Sequence, residues 1–324
     1  MNRLSTIKIP IQEEITRFEK KFSSAFKSNV PLLDIITRYI LKRKGKQMRP
    51  ILVFLSAKLT GTINSSTFTA ASLIEMLHTA TLIHDDVVDE SYSRRGFFSI
   101  NALWKSKAAV LTGDYLLAKG LLLTIEEGEH ELLGIVSEAV KEMSEGELLQ
   151  IQQSRKLNIK ENDYFEIITK KTATLIAACT ACGARSVNAT PAEVNNLKNF
   201  GKNIGIAFQI KDDLLDFQYN SKTGKPKGND LKEKKLTLPL IHSFQTCSKL
   251  EKKKIIKLIN EKKITNDALI EISSFVEKNG GIQYANQKMQ EYKNAAIELI
   301  KDYPSSPVKT SLIDFIHYVT DRNK

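Results

Sequence analysis

Between Pro50 and Pro191 the sequence contains no proline. The same stretch has few glycines and few runs of alternating apolar and polar residues, which favours long helices over strands. Further on, Thr190-Pro191-Ala192-Glu193 matches a capping box with proline at the first helical position. It predicts a helix that starts there and runs to about Tyr219. A chain of 324 residues can bury a sizeable core. No low-complexity linker or composition shift divides it. The expectation is therefore one all-α domain over residues 1–324, with a helical N-terminal extension over residues 1–29.

One five-residue pattern occurs twice: Asp85-Asp86-Val87-Val88-Asp89 and Asp212-Asp213-Leu214-Leu215-Asp216. Six of the fourteen aspartates lie in these two windows, and at that frequency two chance matches arise in far fewer than roughly one such chain per thousand. On a helix, residues four apart share a face, which pairs Asp85 with Asp89 and Asp212 with Asp216. Carboxylates held that close repel unless a cation sits between them. Carboxylate oxygens suit Mg²⁺, which keeps several waters and binds one or two carboxylates plus substrate phosphates. Two such clusters in apolar surroundings point to a diphosphate clamped between metal ions.

Basic turns accompany the acidic ones. Arg94-Arg95-Gly96 follows the first cluster by one loop, and guanidinium offers bidentate hydrogen bonds to phosphate oxygens. Gly45-Lys46-Gln47-Met48-Arg49-Pro50 places two cations where a second phosphate group could dock. Residues 220–235 are rich in lysine and contain Gly224, Pro226 and Gly228, so they read as a mobile basic loop beside the second cluster, suited to a diphosphate lid.

Other features narrow the function. The net charge is +11, but its lysines are spread widely and lack interleaved aromatics, which argues against nucleic acid and leaves weak peripheral contact with an anionic membrane. Cys179 and Cys182 form a CxxC without a second pair or a nearby histidine, and they read as core rather than metal ligands. The odd cysteine count, the absence of a secretory-type segment at Met1 to Pro10 and the lack of an uninterrupted apolar run of about 18 residues predict a cytoplasmic protein.

These pieces, in this order, resemble the all-trans polyprenyl diphosphate synthases, the class I head-to-tail prenyltransferases. The likeness runs from about residue 30 to the end. It includes Glu75 to Asp89, Arg94-Arg95-Gly96, Gly113-Asp114-Tyr115, Lys171-Thr172-Ala173, Gln209 to Asp216 and Leu236 to Leu240. The resemblance implies an orthogonal helical bundle around a deep central cavity, built as a homodimer. It implies that Asp85, Asp86, Asp89, Asp212, Asp213 and Asp216 bind Mg²⁺, three ions when substrate is present, bridging an allylic diphosphate such as farnesyl or geranylgeranyl diphosphate. Arg94, Lys171, Thr172, Gln209 and Lys235 would hold that diphosphate, with Lys171 also counted among the catalytic groups. Lys46, Arg49, His78 and Arg95 would form the isopentenyl diphosphate site. The chain departs from the family at Gln47-Met48, where Arg-Leu is usual, and at Lys234-Lys235, where Gly-Lys is usual.

In this family the prenyl tail grows beside the helix that carries the first cluster, and bulk just before that cluster acts as a floor. Here those positions are the small Ala80 and Thr81, with Leu77 one turn further back. At about 1.5 Å of rise per residue the floor lies deep, which predicts a product of roughly C30 to C40, of the sort used for quinone side chains. A farnesyl or geranylgeranyl diphosphate synthase and the catalytic subunit of a heterodimeric synthase are the alternatives among enzymes. A non-catalytic isoprenoid-binding regulatory subunit is the alternative from another class, and the six intact aspartates weigh against it.

Overall fold

The structure, a computed structural model, describes residues 3–43, 45–94, 96–154, 159–218, 228–261 and 264–322, and of Arg94 the backbone alone. Arg95 and residues 220–227 of the expected loop lie outside the described residues.

The N-terminal half begins with α1 (Arg3–Lys8), a 3₁₀ turn (Ile9–Ile11), α2 (Gln12–Ala25), α3 (Pro31–Lys42), α4 (Met48–Thr60) and α5 (Ser65–Val88). A hairpin of two-residue strands follows, β1 (Ser93–Arg94) and β2 (Phe97–Phe98), with Ser93 opposite Phe98. Then come α6 (Ile100–Glu126), α7 (His130–Ser154), α8 (Glu161–Ile168), a π turn (Thr169–Ala173), α9 (Thr174–Ser186) and α10 (Pro191–Asp216). The rest is α11 (Asn229–Lys232), α12 (Leu238–Thr246), α13 (Lys249–Asn260), α14 (Asn266–Lys278), α15 (Gly281–Leu299) and α16 (Pro307–Thr320). The all-α expectation holds apart from the small hairpin.

Two compact units divide the chain. One is Met1–Ser137, Ala178–Lys198 and Tyr303–Leu312; the other is Glu138–Ala177, Asn199–Asp302 and Ile313–Lys324. In the first, α2 docks on α4 and α5 through edge-to-face aromatics: Phe18 on Phe54 at 5.8 Å and Phe54 on Phe68 at 5.1 Å between ring centroids. Such pairs add about 0.5–1.5 kcal/mol each beyond the area they bury. The start of α5 is fixed by a capping box between Asn64 and Thr67, and the Asn64 amide also donates to the Ser186 carbonyl at 2.9 Å. Cys179 and Cys182 are wholly buried, as the sequence suggested, and burial pushes the Cys179 thiol up to about 12.

The second unit is built around α10 from Asn199 onward, α12, α14 and α15, with Ile210, Leu240, Ile272 and Ala285 fully covered. The capping box at Thr190 and Glu193 starts α10 as read from the sequence: the Glu193 carboxylate accepts from the Thr190 N–H at 2.9 Å. The helix ends at Asp216, three residues short of the expected Tyr219. The Asp216 carboxylate accepts the backbone N–H groups of Asn229 and Asp230 at 2.9 and 3.0 Å, capping α11. Part of the expected loop is therefore helical.

Helix α6 is, among the described residues, the one helix long and apolar enough to cross a membrane. One side packs along α5, where Gly120 lies against Leu73 and Gly113 against the His84 ring. Its other side exposes Leu111, Leu122 and Ile125.

Close helix contact inside the first unit rests on Gly183 of α9. A Cβ there would stand 2.4 Å from the Val53 carbonyl oxygen and 2.8 Å from the Ser56 Cβ. Because the first obstacle is backbone, Gly183→Ala should lower stability by about 1–3 kcal/mol, measured as a drop in unfolding free energy in a denaturant titration.

Candidate active site

Both aspartate patterns terminate helices. Asp85 and Asp86 lie in the last turn of α5, and Asp89 is its C-cap. Asp212, Asp213 and Asp216 close α10. Neither last turn carries a basic residue. A helix C-terminus bears partial negative charge, so each carboxylate there is disfavoured by about 0.3–1 kcal/mol until a cation arrives. The donor chemistry therefore fits a hard divalent ion. Among the described residues no three His, Cys, Asp or Glu side chains converge so as to hold a metal ion by themselves, and Mg²⁺ bound through one or two carboxylates plus substrate phosphates does not require three.

In the first unit Asp85 and Asp89 are exposed, whereas Asp86 is 5% exposed. Asp86 turns inward to a cavity of about 430 Å³. Lys46, Arg49 and His78 line the same cavity, so three residues expected to hold isopentenyl diphosphate are brought together. Lys46 precedes α4 and Arg49 lies in its first turn, after Gln47 at φ 52°. His78 stands two turns before Asp86 on α5. Arg94 contributes its backbone to β1, and the expected companion Arg95 is outside the described residues.

In the second unit a cavity of about 170 Å³ is lined by Lys171, Thr172, Gln209, Asp213 and Lys235. The four residues other than the aspartate belong to the expected allylic-diphosphate set. Lys171 and Thr172 sit on the π turn, an irregularity that often marks functional sites. Two glycines make room for it. A Cβ on Gly146 would meet the Lys171 nitrogen at 2.7 Å, and one on Gly205 would meet the Ala173 Cα at 2.5 Å. Lys171 reaches Glu147 at 2.5 Å and Gln150 at 3.3 Å. Lys235 pairs with Glu233.

A hydrogen-bond chain links this cavity to the second aspartate set. The Thr172 hydroxyl donates to the Gln209 side-chain Oε1 at 2.9 Å, and the Gln209 Nε2 donates to Asp213 at 2.9 Å. The buried Tyr164 hydroxyl donates to the other Asp213 oxygen at 2.6 Å. Burial dominates Asp213 and pushes its pKa up to about 8. Asp230, which the sequence reading missed, is raised to about 6 by burial and then by Asp216. Asp212 is the most open of the three. It accepts from Arg322 at 2.6 Å, and that guanidinium also lies 4.3 Å over the Phe208 ring.

The sequence profile of the polyprenyl synthetase family matches residues 30–275. The chain belongs to that family. The expectation of a prenyltransferase enzyme therefore holds for this polyprenyl synthetase. An octaprenyl diphosphate synthase of Escherichia coli (strain K12) is 34% identical over 298 residues, spanning 92% of each chain. The crystal structure of a decaprenyl diphosphate synthase from Rhodobacter capsulatus has a TM-score of 0.92 at 30% identity, covering 99% of both chains. A geranylgeranyl pyrophosphate synthase from Bacteroides thetaiotaomicron has a TM-score of 0.84 at 38% identity, covering 99% of this chain and 100% of that one.

The residues named for chain length in this polyprenyl synthetase lie away from the 430 Å³ cavity. That cavity takes Glu75, His78, Thr79, Leu82 and Asp86 from one face of α5. Leu73, Leu77, Ala80 and His84 recur at spacings of three or four and share the opposite face. Its two ends meet Gly120 and Gly113 of α6. Leu77 and Ala80 are each 2% exposed, and Thr81 is half-buried.

A raised carboxyl pKa has a definite sign in stability. In the metal-free chain the folded state keeps a proton on Asp213 up to about pH 8, while the unfolded state loses it near the ordinary carboxylate value of 3.8. Between those values folding binds a proton, so this residue's contribution falls as pH rises. Melting temperature measured from pH 5 to pH 8 without metal should decline less in Asp213→Asn than in the wild type.

Proposed function

We propose that this enzyme is a Mg²⁺-dependent prenyltransferase that condenses isopentenyl diphosphate with an allylic diphosphate to give an all-trans polyprenyl diphosphate. The observation that carries the reading is the repeated arrangement of an aspartate-tipped helix with a basic cavity. Asp86 shares its cavity with Lys46, Arg49 and His78, and Asp213 shares its own with Lys171, Thr172, Gln209 and Lys235. Curated relatives are named octaprenyl diphosphate synthase and all-trans-nonaprenyl-diphosphate synthase.

On this reading Asp85, Asp86 and Asp89, with Asp212, Asp213 and Asp216, would hold Mg²⁺. Bound Mg²⁺ neutralises diphosphate charge and makes the diphosphate a better leaving group. Lys171, Thr172, Gln209, Lys235 and Arg94 bind the allylic diphosphate and stabilise the charge that grows on it as the C–O bond breaks. Lys46, Arg49, His78 and Arg95 hold isopentenyl diphosphate, whose double bond attacks the allylic cation. Apolar side chains around the reacting carbons exclude water that would quench it. The proton then lost passes to the departing diphosphate, so no protein base is required.

Small residues at Ala80 and Thr81, with Leu77 behind them, support a product of roughly C30 to C40, given about 1.5 Å of helix rise per residue. The likeness to a geranylgeranyl pyrophosphate synthase at 38% identity favours a second reading, a C20 product. We further propose a homodimer, supported by the exposed apolar side of α6, and a cytoplasmic location with weak attraction to anionic membrane.

The test is a product-length assay on the purified chain with Mg²⁺, farnesyl diphosphate and labelled isopentenyl diphosphate. A ladder ending near C30 to C40 supports the long-chain reading. Arrest at C20 supports the shorter one, and no elongation by the single chain points to a missing subunit. In the same assay Ala80→Tyr should shorten the main product by at least one C5 unit, and an unchanged length would sink the assignment of the floor.

A further inference from the structure

Arg43 caps the C-terminal end of α3 and lines the 430 Å³ cavity beside Lys46, Arg49 and His78. Nothing in the aspartate or basic motifs calls for it. Its guanidinium carbon lies 4.2 Å from the centroid of the Tyr39 ring and 3.9 Å from that of Phe97. Stacking against two rings fixes the guanidinium plane, and its N–H donors lie in that plane. One of them, Nη1, is buried and has no hydrogen-bond partner among the described residues. A buried charged donor without an acceptor is costly, and a ligand that supplies the acceptor removes the cost.

The surroundings favour an anion as that ligand. Lys42, Arg43, Lys46 and Arg49 line the cavity against two carboxylates, Glu75 and Asp86. The same contacts tie the cavity wall to the hairpin. Phe97 belongs to β2, the Tyr39 hydroxyl donates to the Phe98 carbonyl at 2.6 Å, and Tyr39 packs edge-on against Trp104 at 5.2 Å. A cation seated in this clamp thus connects three pieces of the wall: the end of α3, β2 and the start of α6.

We propose that Arg43 is a further binding residue for isopentenyl diphosphate. Its Nη1 donates to a diphosphate oxygen, and its stacking on Tyr39 and Phe97 makes β2 part of the site. The inference rests on the reading of this cavity as the isopentenyl diphosphate site. It adds a guanidinium that is held by aromatic faces rather than by a partner carboxylate.

The test uses the full chain. Isopentenyl diphosphate binding is measured by calorimetry without Mg²⁺ or allylic substrate, and KM is measured for both substrates. Arg43→Met keeps the apolar stem and removes the charge. It should weaken isopentenyl diphosphate about 10- to 100-fold, the loss expected for a hydrogen bond to a charged group, while KM for the allylic substrate stays within about twofold. Arg43→Lys should recover only part of that loss, because an ammonium cannot reproduce the stacked planar fork. A purely structural Arg43 would move both KM values together with the melting temperature, and that result overturns the proposal. So does wild-type affinity in both variants. If Arg43→Met fails to fold, Arg43→Lys decides: a loss of tenfold or more in isopentenyl diphosphate affinity alone supports the proposal, and wild-type affinity overturns it. Arg49→Gln separates the two levels of argument. If it leaves binding unchanged, or if the wild type does not bind, the cavity assignment falls and this inference with it.

Discussion

Six carboxylates stand at the negative ends of two helix dipoles, and much of the local architecture follows from making that tolerable. The unfavourable placement is met differently at each position. Asp216 is absorbed by two backbone N–H groups of α11. Burial holds Asp213 towards its protonated form, against the hydrogen bonds it accepts from Tyr164 and Gln209. Asp212 meets Arg322. Asp85 and Asp89 stay at the surface, where water screens them. The aspartates thus differ in what a metal ion must displace. An identical five-letter pattern becomes two chemically unequal sites because the two helices end in different surroundings.

Cations are arranged with the same economy. Lys46, Arg49 and His78 come from separate elements yet border one cavity, since a turn before α4 and the inner face of α5 share it. Lys171 and Thr172 arrive through a break in helical bonding rather than through a loop. A π turn widens the helix locally and re-aims its side chains without exposing backbone to solvent.

Much of this was legible in the sequence. The aspartate spacing, the Thr190 capping box and the apolar setting of Cys179 and Cys182 each rest on local rules of one helix turn, and each is found in place. The end of α10 was misjudged because its stop signal is Asp216 reaching a backbone segment thirteen and fourteen residues away. The π turn has no signature in composition; its only sequence trace is a pair of glycines, Gly146 and Gly205, that become informative once the packing is known. Tyr164, Asp230 and Arg322 matter because folding brings them to the aspartates, and Arg43 reads as an ordinary basic helix end until Tyr39 and Phe97 close on it.

The two glycines that flank the π turn also say where this enzyme can vary. Neither carries a functional group, and neither lines the cavity whose shape depends on it. Any side chain at Gly146 would press on the Lys170–Lys171 backbone, and any at Gly205 on Ala173. Sequence drift on α7 and α10 is therefore constrained by the placement of an amine and a hydroxyl on another helix, so the tolerance of this fold to substitution is lowest at positions that chemistry alone would never single out.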